Sequence, residues 1–149
     1  MDVVARLARS SDGGVLESLE AEARLSLADQ RGGPEWLAGC APSDAATWAR
    51  RVNDAAWHVV VGTIDDVVVA YAVAATKQEI ATVSHLFVHP EARDVGIGEA
   101  MIEELLTWAP TTGAKALEAT ALPGDRQTKN LFERFGMKAR AITVSRRLG

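Results

Sequence analysis

The sequence has 149 residues, of which 48% are hydrophobic and 24% are charged, a composition typical of one globular domain over residues 1–149. No apolar stretch reaches the roughly 20 residues of a membrane-spanning helix, no signal peptide is recognisable, and the net charge of −4 argues against nucleic-acid binding. Cys40 is the only cysteine and no pair of histidines has metal-ligand spacing on a predicted helix, so we predict a cytoplasmic protein with no disulfide and no metal.

The N-terminal half is predicted to contain a strand, two helices and a three-stranded meander. A short strand over residues 2–8 precedes a helix from about Val15 to Asp29, where apolar residues recur at helical spacing. Residues 34–42 are predicted to be a loop or short turn, and a second helix runs from Ser43 or Asp44 to about Asn53. Tight turns then separate three predicted strands, at Trp57–Ile64, Val67–Ala75 and Ile80–Val88.

The C-terminal half alternates helices and strands. An amphipathic helix follows a glycine-rich turn and has Ile97, Met101, Leu105 and Trp108 on its apolar face. The remaining predicted elements are a strand at Ala116–Leu122, a helix at Arg126–Phe135 closed by Gly136, and a last strand at Ala139–Arg147. The resulting order, β-α-α-β-β-β-α-β-α-β, predicts an α/β fold with a mixed sheet and helices on both faces.

The glycine-rich turn has the form Arg-x-x-Gly-x-Gly at residues 93–98. The first turn of a helix leaves backbone N–H groups unpaired, and glycine lets a bulky anion approach them, so this turn is a candidate phosphate site. It is neither a dinucleotide fingerprint, since position 101 is methionine, nor a P-loop, since Gly-Lys-Ser/Thr is absent. A turn that uses glycine only for its geometry remains the alternative.

Two segments resemble motifs of the GNAT superfamily of N-acyltransferases. Residues 84–98 are similar to the central motif, in which a strand and Val-x-Pro lead into Gln/Arg-x-x-Gly-x-Gly/Ala at the start of a helix. Residues 128–137 are similar to the second motif, Ala-x-x-Leu-Tyr-Glu-Lys-x-Gly-Phe. The resemblance implies the GNAT fold and the transfer of an acetyl group from acetyl-CoA to an amine of a small molecule or a protein.

The resemblance also implies where acetyl-CoA binds. The pyrophosphate would lie on the backbone of the glycine turn, and the pantetheine arm would pair with the strand before it where that strand separates from its neighbour. The corresponding cofactor-binding residues are Leu86, Phe87, Val88, Arg93, Asp94, Val95, Gly96, Ile97, Gly98 and Glu99. One strand N–H would polarise the thioester carbonyl.

An amine acceptor must lose a proton before it attacks, so the reaction needs a base. Glu118 is the first candidate, because a carboxylate is unusual in a strand of Ala, Leu and Thr, and His85 is the second. A solvated strand glutamate and a structural histidine are the alternatives. Trp36, in the loop between the first two helices, is a candidate for lining the acceptor site.

One departure from the family motif keeps a second hypothesis open. Where many relatives have a tyrosine that protonates the departing thiolate, this sequence has Phe132, and its only tyrosine is Tyr71. The alternative functions are a CoA-binding module without catalysis and a domain that binds another phosphate ligand. Many relatives dimerise, so a homodimer also stays open.

Overall fold

The computed structural model describes all 149 residues. The strands are β1 (Val3–Leu7), β2 (His58–Ile64), β3 (Val67–Lys77), β4 (Ile80–Val88) and β5 (Ala116–Ala119). The helices are α1 (Gly13–Ala28), α2 (Gly33–Ala38), α3 (Ala45–Val52), α4 (Ile97–Trp108) and α5 (Arg126–Arg134). The predicted order is confirmed as far as α5, and the predicted loop at 34–42 contains the short helix α2.

The five strands form one mixed sheet in the order β1-β2-β3-β4-β5. Neighbours are antiparallel from β1 to β4, and two-residue turns with positive φ at both positions join β2 to β3 and β3 to β4, as right-handed strand twist favours. β5 lies parallel to β4, so the chain must cross over between them, and α4 provides this crossover.

Helices cover both faces of the sheet, as predicted. On one face α1 and α3 bury Leu16, Leu19 and Trp48 against β2 and β3. On the other face α4 and α5 bury a second apolar cluster that includes Met101 and Leu131. Because side chains alternate along a strand, neighbouring residues of β3 contribute to different clusters. None of the helices is long and apolar enough to cross a membrane.

The predicted last strand at Ala139–Arg147 is wrong. The chain turns at Gly136, and Met137 packs against the core and donates its backbone N–H to the carbonyl of Phe132. Residues 138–149 contain no helix or strand, and every one of them is exposed. The alternating pattern of Ala139–Arg147 is compatible with a strand, but it carries no information about whether a sheet edge accepts it.

Candidate active site

The sheet opens between β4 and β5, as the resemblance implied. The two strands are paired only where Ile80–Val83 faces Ala116–Ala119, so Ser84–Val88 has no partner on the β5 side. On its other side this part of β4 stays paired with β3, from Val73 to Ala70. The split therefore leaves backbone N–H and C=O groups of β4 free to pair with a ligand.

A pocket occupies this split and draws its walls from both sheet faces. α1 and α2 contribute one wall, and the residues after β5 and the start of α5 contribute another. The lining residues are Glu20, Ala23, Arg24, Leu27, Trp36, Tyr71, Val83, Ser84, His85, Leu86, Phe87, Thr120, Ala121, Leu122, Asp125, Thr128 and Phe132. Leu86, Phe87 and His85 are thus brought together, while Val88 and the glycine turn lie beyond the pocket.

The glycine turn sits at the N-terminus of α4. Gly96 precedes the helix with φ of +89°, and Asp94 also has a positive φ, of +67°. The first N–H that is bonded within the helix belongs to Ala100, which donates to the carbonyl of Gly96. The N–H groups of Ile97, Gly98 and Glu99 have no backbone partner, which makes this end of α4 suited to a phosphate.

Arg93 connects the glycine turn to two neighbouring elements. Its Nε donates to the carbonyl of Val88 at 3.3 Å, and another guanidinium nitrogen bonds Gln127 of α5. The turn is therefore tied both to the end of β4 and to α5. The guanidinium also adds a positive charge to the segment that precedes α4.

The two glycines of the turn differ in their surroundings. A Cβ on Gly96 would meet no atom within 4 Å, so open space lies beside it. A Cβ on Gly98 would lie 2.8 Å from Cδ2 of Leu131. Gly98 is thus in close contact with the end of the Leu131 side chain, which a larger residue at this position would have to displace.

His85 lies in the pocket, and its ring is edge-on to Trp36 with the ring centres 5.3 Å apart. Burial lowers the pKa of His85 below its ordinary value; the nearby Glu20 carboxylate opposes this shift, and Arg51 and Arg24 add to it. A lowered pKa keeps the imidazole neutral at neutral pH, so it is able to accept a proton. Trp36 lies in the short helix α2, where a loop was predicted, and it lines the pocket.

Glu118 lies elsewhere. It is exposed in β5, opposite Thr82 in the register, and does not line the pocket. The structure does not bring it together with His85. The two remaining histidines also lie outside the pocket: His58 bonds Glu104 at 2.8 Å and stacks on Trp108, and His89 pairs with Glu22.

A second carboxylate, Glu20 of α1, is in the pocket and was missed by the sequence analysis. Its side chain is buried, and one oxygen accepts hydrogen bonds from the N–H of Ser43 at 2.8 Å and from Nε1 of Trp48 at 3.1 Å. The sequence carries a signal for it, because position 20 falls on the apolar face formed by Leu16 and Ala23 at helical spacing. Charged residues are almost never fully buried unless they are paired, so a glutamate on such a face indicates a carboxylate with hydrogen-bond partners inside the protein.

Phe132 projects from α5 into both the core and the pocket, and is 6% exposed. Asp125 caps α5 by accepting the N–H of Thr128 at 3.2 Å and also lines the pocket. No group of three or more His, Cys, Asp or Glu side chains is arranged to hold a metal ion.

A model of the acetyltransferase (GNAT) family matches residues 22–137, which include the split strand, the glycine turn and α5. The chain belongs to the GNAT family. A search of curated proteins found no match. The GNAT fold is shared with solved structures at low sequence identity.

Three of these structures illustrate the likeness. The tetramutant of the BH1408 protein from Bacillus halodurans has a TM-score of 0.80 at 18% identity, over 97% of this chain and 99% of that one. Ribosomal-protein-alanine N-acetyltransferase from Brucella melitensis biovar Abortus 2308 has a TM-score of 0.72 at 18% identity, over 99% and 100%. AAC(6')-Iy, in complex with the bisubstrate analogue CoA-S-monomethyl-acetylneamine, has a TM-score of 0.71 at 15% identity, over 99% and 100%.

Proposed function

We propose that this protein is an N-acetyltransferase that moves an acetyl group from acetyl-CoA to a primary amine by direct attack. The observation that carries the proposal is the split between β4 and β5, which is occupied by a pocket that contains His85 and is followed along the chain by the free N–H groups at the start of α4. Membership of the GNAT family supports it. Structural neighbours are named as acetyltransferases of aminoglycosides and of a ribosomal protein, so small and protein amines are both acceptor classes to test.

In this proposal acetyl-CoA binds along the split. The pyrophosphate accepts hydrogen bonds from the N–H groups of residues 97–99 beside Arg93. The pantetheine arm pairs with the unpaired backbone of Leu86, Phe87 and Val88. The open space beside Gly96 and the absence of a competing strand are what make these positions fit such a ligand.

The chemistry then needs one proton acceptor. His85 takes a proton from the acceptor amine, whose nitrogen attacks the thioester carbonyl carbon. The C–N bond forms, the C–S bond breaks, and sulfur leaves with the electron pair as the CoA thiolate. Because a thiol with an ordinary pKa near 8.5 is a fair leaving group, Phe132 in place of a tyrosine does not prevent this step.

The test is release of free CoA thiol from acetyl-CoA with a panel of small primary amines and a lysine-containing peptide. Release with any member supports acetyl transfer, and its rate should fall as pH drops through the lowered pKa of His85, below the usual value of about 6.5. Tight acetyl-CoA binding with no release from any amine would instead favour a CoA-binding module, the alternative that Phe132 supports.

A matched pair of substitutions tests the phosphate position. Gly96 has a positive φ that Asn and Asp both tolerate better than other residues, so Gly96→Asn and Gly96→Asp carry similar strain. Only Gly96→Asp adds negative charge beside the pyrophosphate. We expect it to bind acetyl-CoA about tenfold more weakly than Gly96→Asn by calorimetry, and equal affinities would remove the turn from the site.

A further inference from the structure

Two polar side chains in the pocket have hydrogen-bonding capacity that the protein does not use. Glu20 is 4% exposed and Tyr71 is 1% exposed, and both line the same pocket as His85. They come from different elements, α1 and β3, on the sheet face that α1 and α3 cover. The glycine turn belongs to α4 on the opposite face, so this pair is on the side away from the proposed pyrophosphate position.

Glu20 is held rigidly by one of its two oxygens. Oε1 accepts from the backbone of Ser43 and from the indole of Trp48, and Oε2 has no protein donor. Glu20 takes part in none of the ion pairs of the molecule. Arg24, one helical turn further along α1, also lines the pocket, but its guanidinium donates to the carbonyls of Cys40 and Leu37.

Tyr71 has no hydrogen-bond partner in the protein, although it is almost wholly buried. The only fully enclosed side-chain atom without a partner is Oε1 of Gln30, so the Tyr71 hydroxyl retains contact with the open space of the pocket. Burial raises the pKa of Tyr71, and the charge of Glu20 adds to the rise. The phenol is therefore neutral throughout the physiological pH range and can both accept and donate a hydrogen bond.

We infer that Glu20 and Tyr71 together bind the ammonium group of the acceptor, and that the acceptor is a primary amine that enters the pocket in its charged form. The free oxygen of Glu20 accepts one N–H and the hydroxyl of Tyr71 accepts another. This inference rests on the proposed function, because it assigns the pocket to the acceptor.

The charge of the pocket favours a cation over a neutral ligand. A buried carboxylate without a counter-ion is costly, and an ammonium group that supplies both charge and donors relieves that cost. The bound ammonium then loses one proton to His85, which leaves the nitrogen lone pair free to attack the thioester. Glu20 and Tyr71 hold the remaining N–H groups while the C–N bond forms. As the C–S bond breaks, one of these two protons passes to the departing thiolate, so the products are the neutral amide and the CoA thiol.

Glu20→Gln is the main test, because the amide oxygen still accepts from Ser43 and Trp48. The KM for the best amine of the panel should rise about 10- to 100-fold, as expected for a lost hydrogen bond to a charged group, while the KM for acetyl-CoA changes less than about threefold. Glu17→Gln is the matched control, since Glu17 lies one turn earlier on α1, also accepts a backbone N–H, from Ala45, and lies outside the pocket. It should leave both constants unchanged.

Tyr71→Phe provides an independent readout. Its hydroxyl bonds no protein group, so the melting temperature should stay the same or rise, whereas the KM for the amine should rise about 2- to 10-fold. A variant that loses stability without a change in KM would mean that the hydroxyl has a structural role. An unchanged amine KM in both Glu20→Gln and Tyr71→Phe would overturn the inference.

Calorimetry with CoA bound separates this inference from the proposed function. Each amine of the panel is compared with the alcohol of the same carbon skeleton, which cannot carry a charge. Amine binding that is lost in Glu20→Gln, with no binding of the alcohol, supports the ammonium site even if no CoA is released. Equal binding of amine and alcohol, or no binding of any amine, would contradict it.

Discussion

At the scale of single residues, Glu118 and Glu20 illustrate what a sequence pattern can and cannot locate. Glu118 stands out in the sequence because its neighbours in the strand are apolar, yet β5 is at the sheet edge and leaves it exposed. Glu20 is less conspicuous in α1, which also carries Glu17 and Glu22. Its burial depends on Ser43 and Trp48, which lie more than 20 residues away in sequence. Such partners are set by tertiary packing, which local patterns do not encode.

Asp12 illustrates a buried charge with a structural role. Although it precedes α1, its side chain makes no capping bond to that helix and instead accepts from Arg6 through both oxygens, at 2.8 and 3.1 Å. Burial alone would raise the pKa of Asp12, but the hydrogen bonds from Arg6 and from the N–H of Arg9 outweigh it and lower the pKa below its ordinary value. The carboxylate thus links β1 to the turn before α1.

We expect Asp12→Asn to lower the free energy of unfolding by about 2 kcal/mol at pH 7, because Arg6 loses its charged partner. A depressed pKa stabilises the fold above the unfolded-state value of about 3.9, and this contribution disappears as pH falls through the folded-state value. The difference between variant and wild type should therefore shrink at pH 3. Urea unfolding at both pH values measures this difference. Asp29→Asn is the control, because Asp29 is exposed and takes part in no ion pair. An equal loss of unfolding free energy at both pH values would contradict the ion pair.

At the scale of elements, the sequence predicted most of the strands and helices that position the site. Turn residues at Asp65–Asp66 and Gln78–Glu79 and the cap at Gly136 adopt the positive φ values that such positions require. The Arg-x-x-Gly-x-Gly pattern located the start of α4 correctly. It did not distinguish the role of Gly96 from that of Gly98, because the neighbour that decides it, Leu131, is contributed by another helix.

This difference predicts opposite outcomes for alanine at two helical glycines. Gly98→Ala should lower the free energy of unfolding by about 1–3 kcal/mol, because its Cβ would lie 2.8 Å from Leu131. Gly14→Ala in α1 meets nothing within 4 Å and should be neutral or stabilising by up to about 1 kcal/mol. Thermal and urea melts compare the two.

A second substitution tests the cause of the stability that Gly98→Ala is expected to lose. Leu131→Val removes the terminal carbon that the new methyl group would meet, so the double variant should be more stable than the sum of the two single losses predicts. Strict additivity, or a Gly98→Ala variant as stable as Gly14→Ala, would show that α4 and α5 do not depend on this contact.

At the scale of the whole molecule, the C-terminal segment 138–149 differs from the rest of the chain in both charge and burial. Residues 138–149 carry four basic and no acidic side chains, so the preceding 137 residues have a net charge of −8. Three large apolar side chains of this C-terminal segment, Ile142, Val144 and Leu148, are 83–87% exposed. The segment forms no hydrogen bond to the rest of the chain, and the core is complete at Met137.

Removal of residues 138–149 should therefore leave the fold intact. Because these residues are exposed in the folded chain and would be exposed in the unfolded one, we expect the free energy of unfolding to change by less than about 0.5 kcal/mol and the urea m-value to stay the same. A control truncation that also removes Met137 should lower the free energy of unfolding further. The Met137 side chain packs on the core, and its N–H donates to the carbonyl of Phe132. If removal of residues 138–149 alone lowered the free energy of unfolding by several kcal/mol, the segment would have to pair with a strand edge. Sedimentation of the intact chain at two concentrations would then tell whether that edge belongs to the same chain or to a second copy.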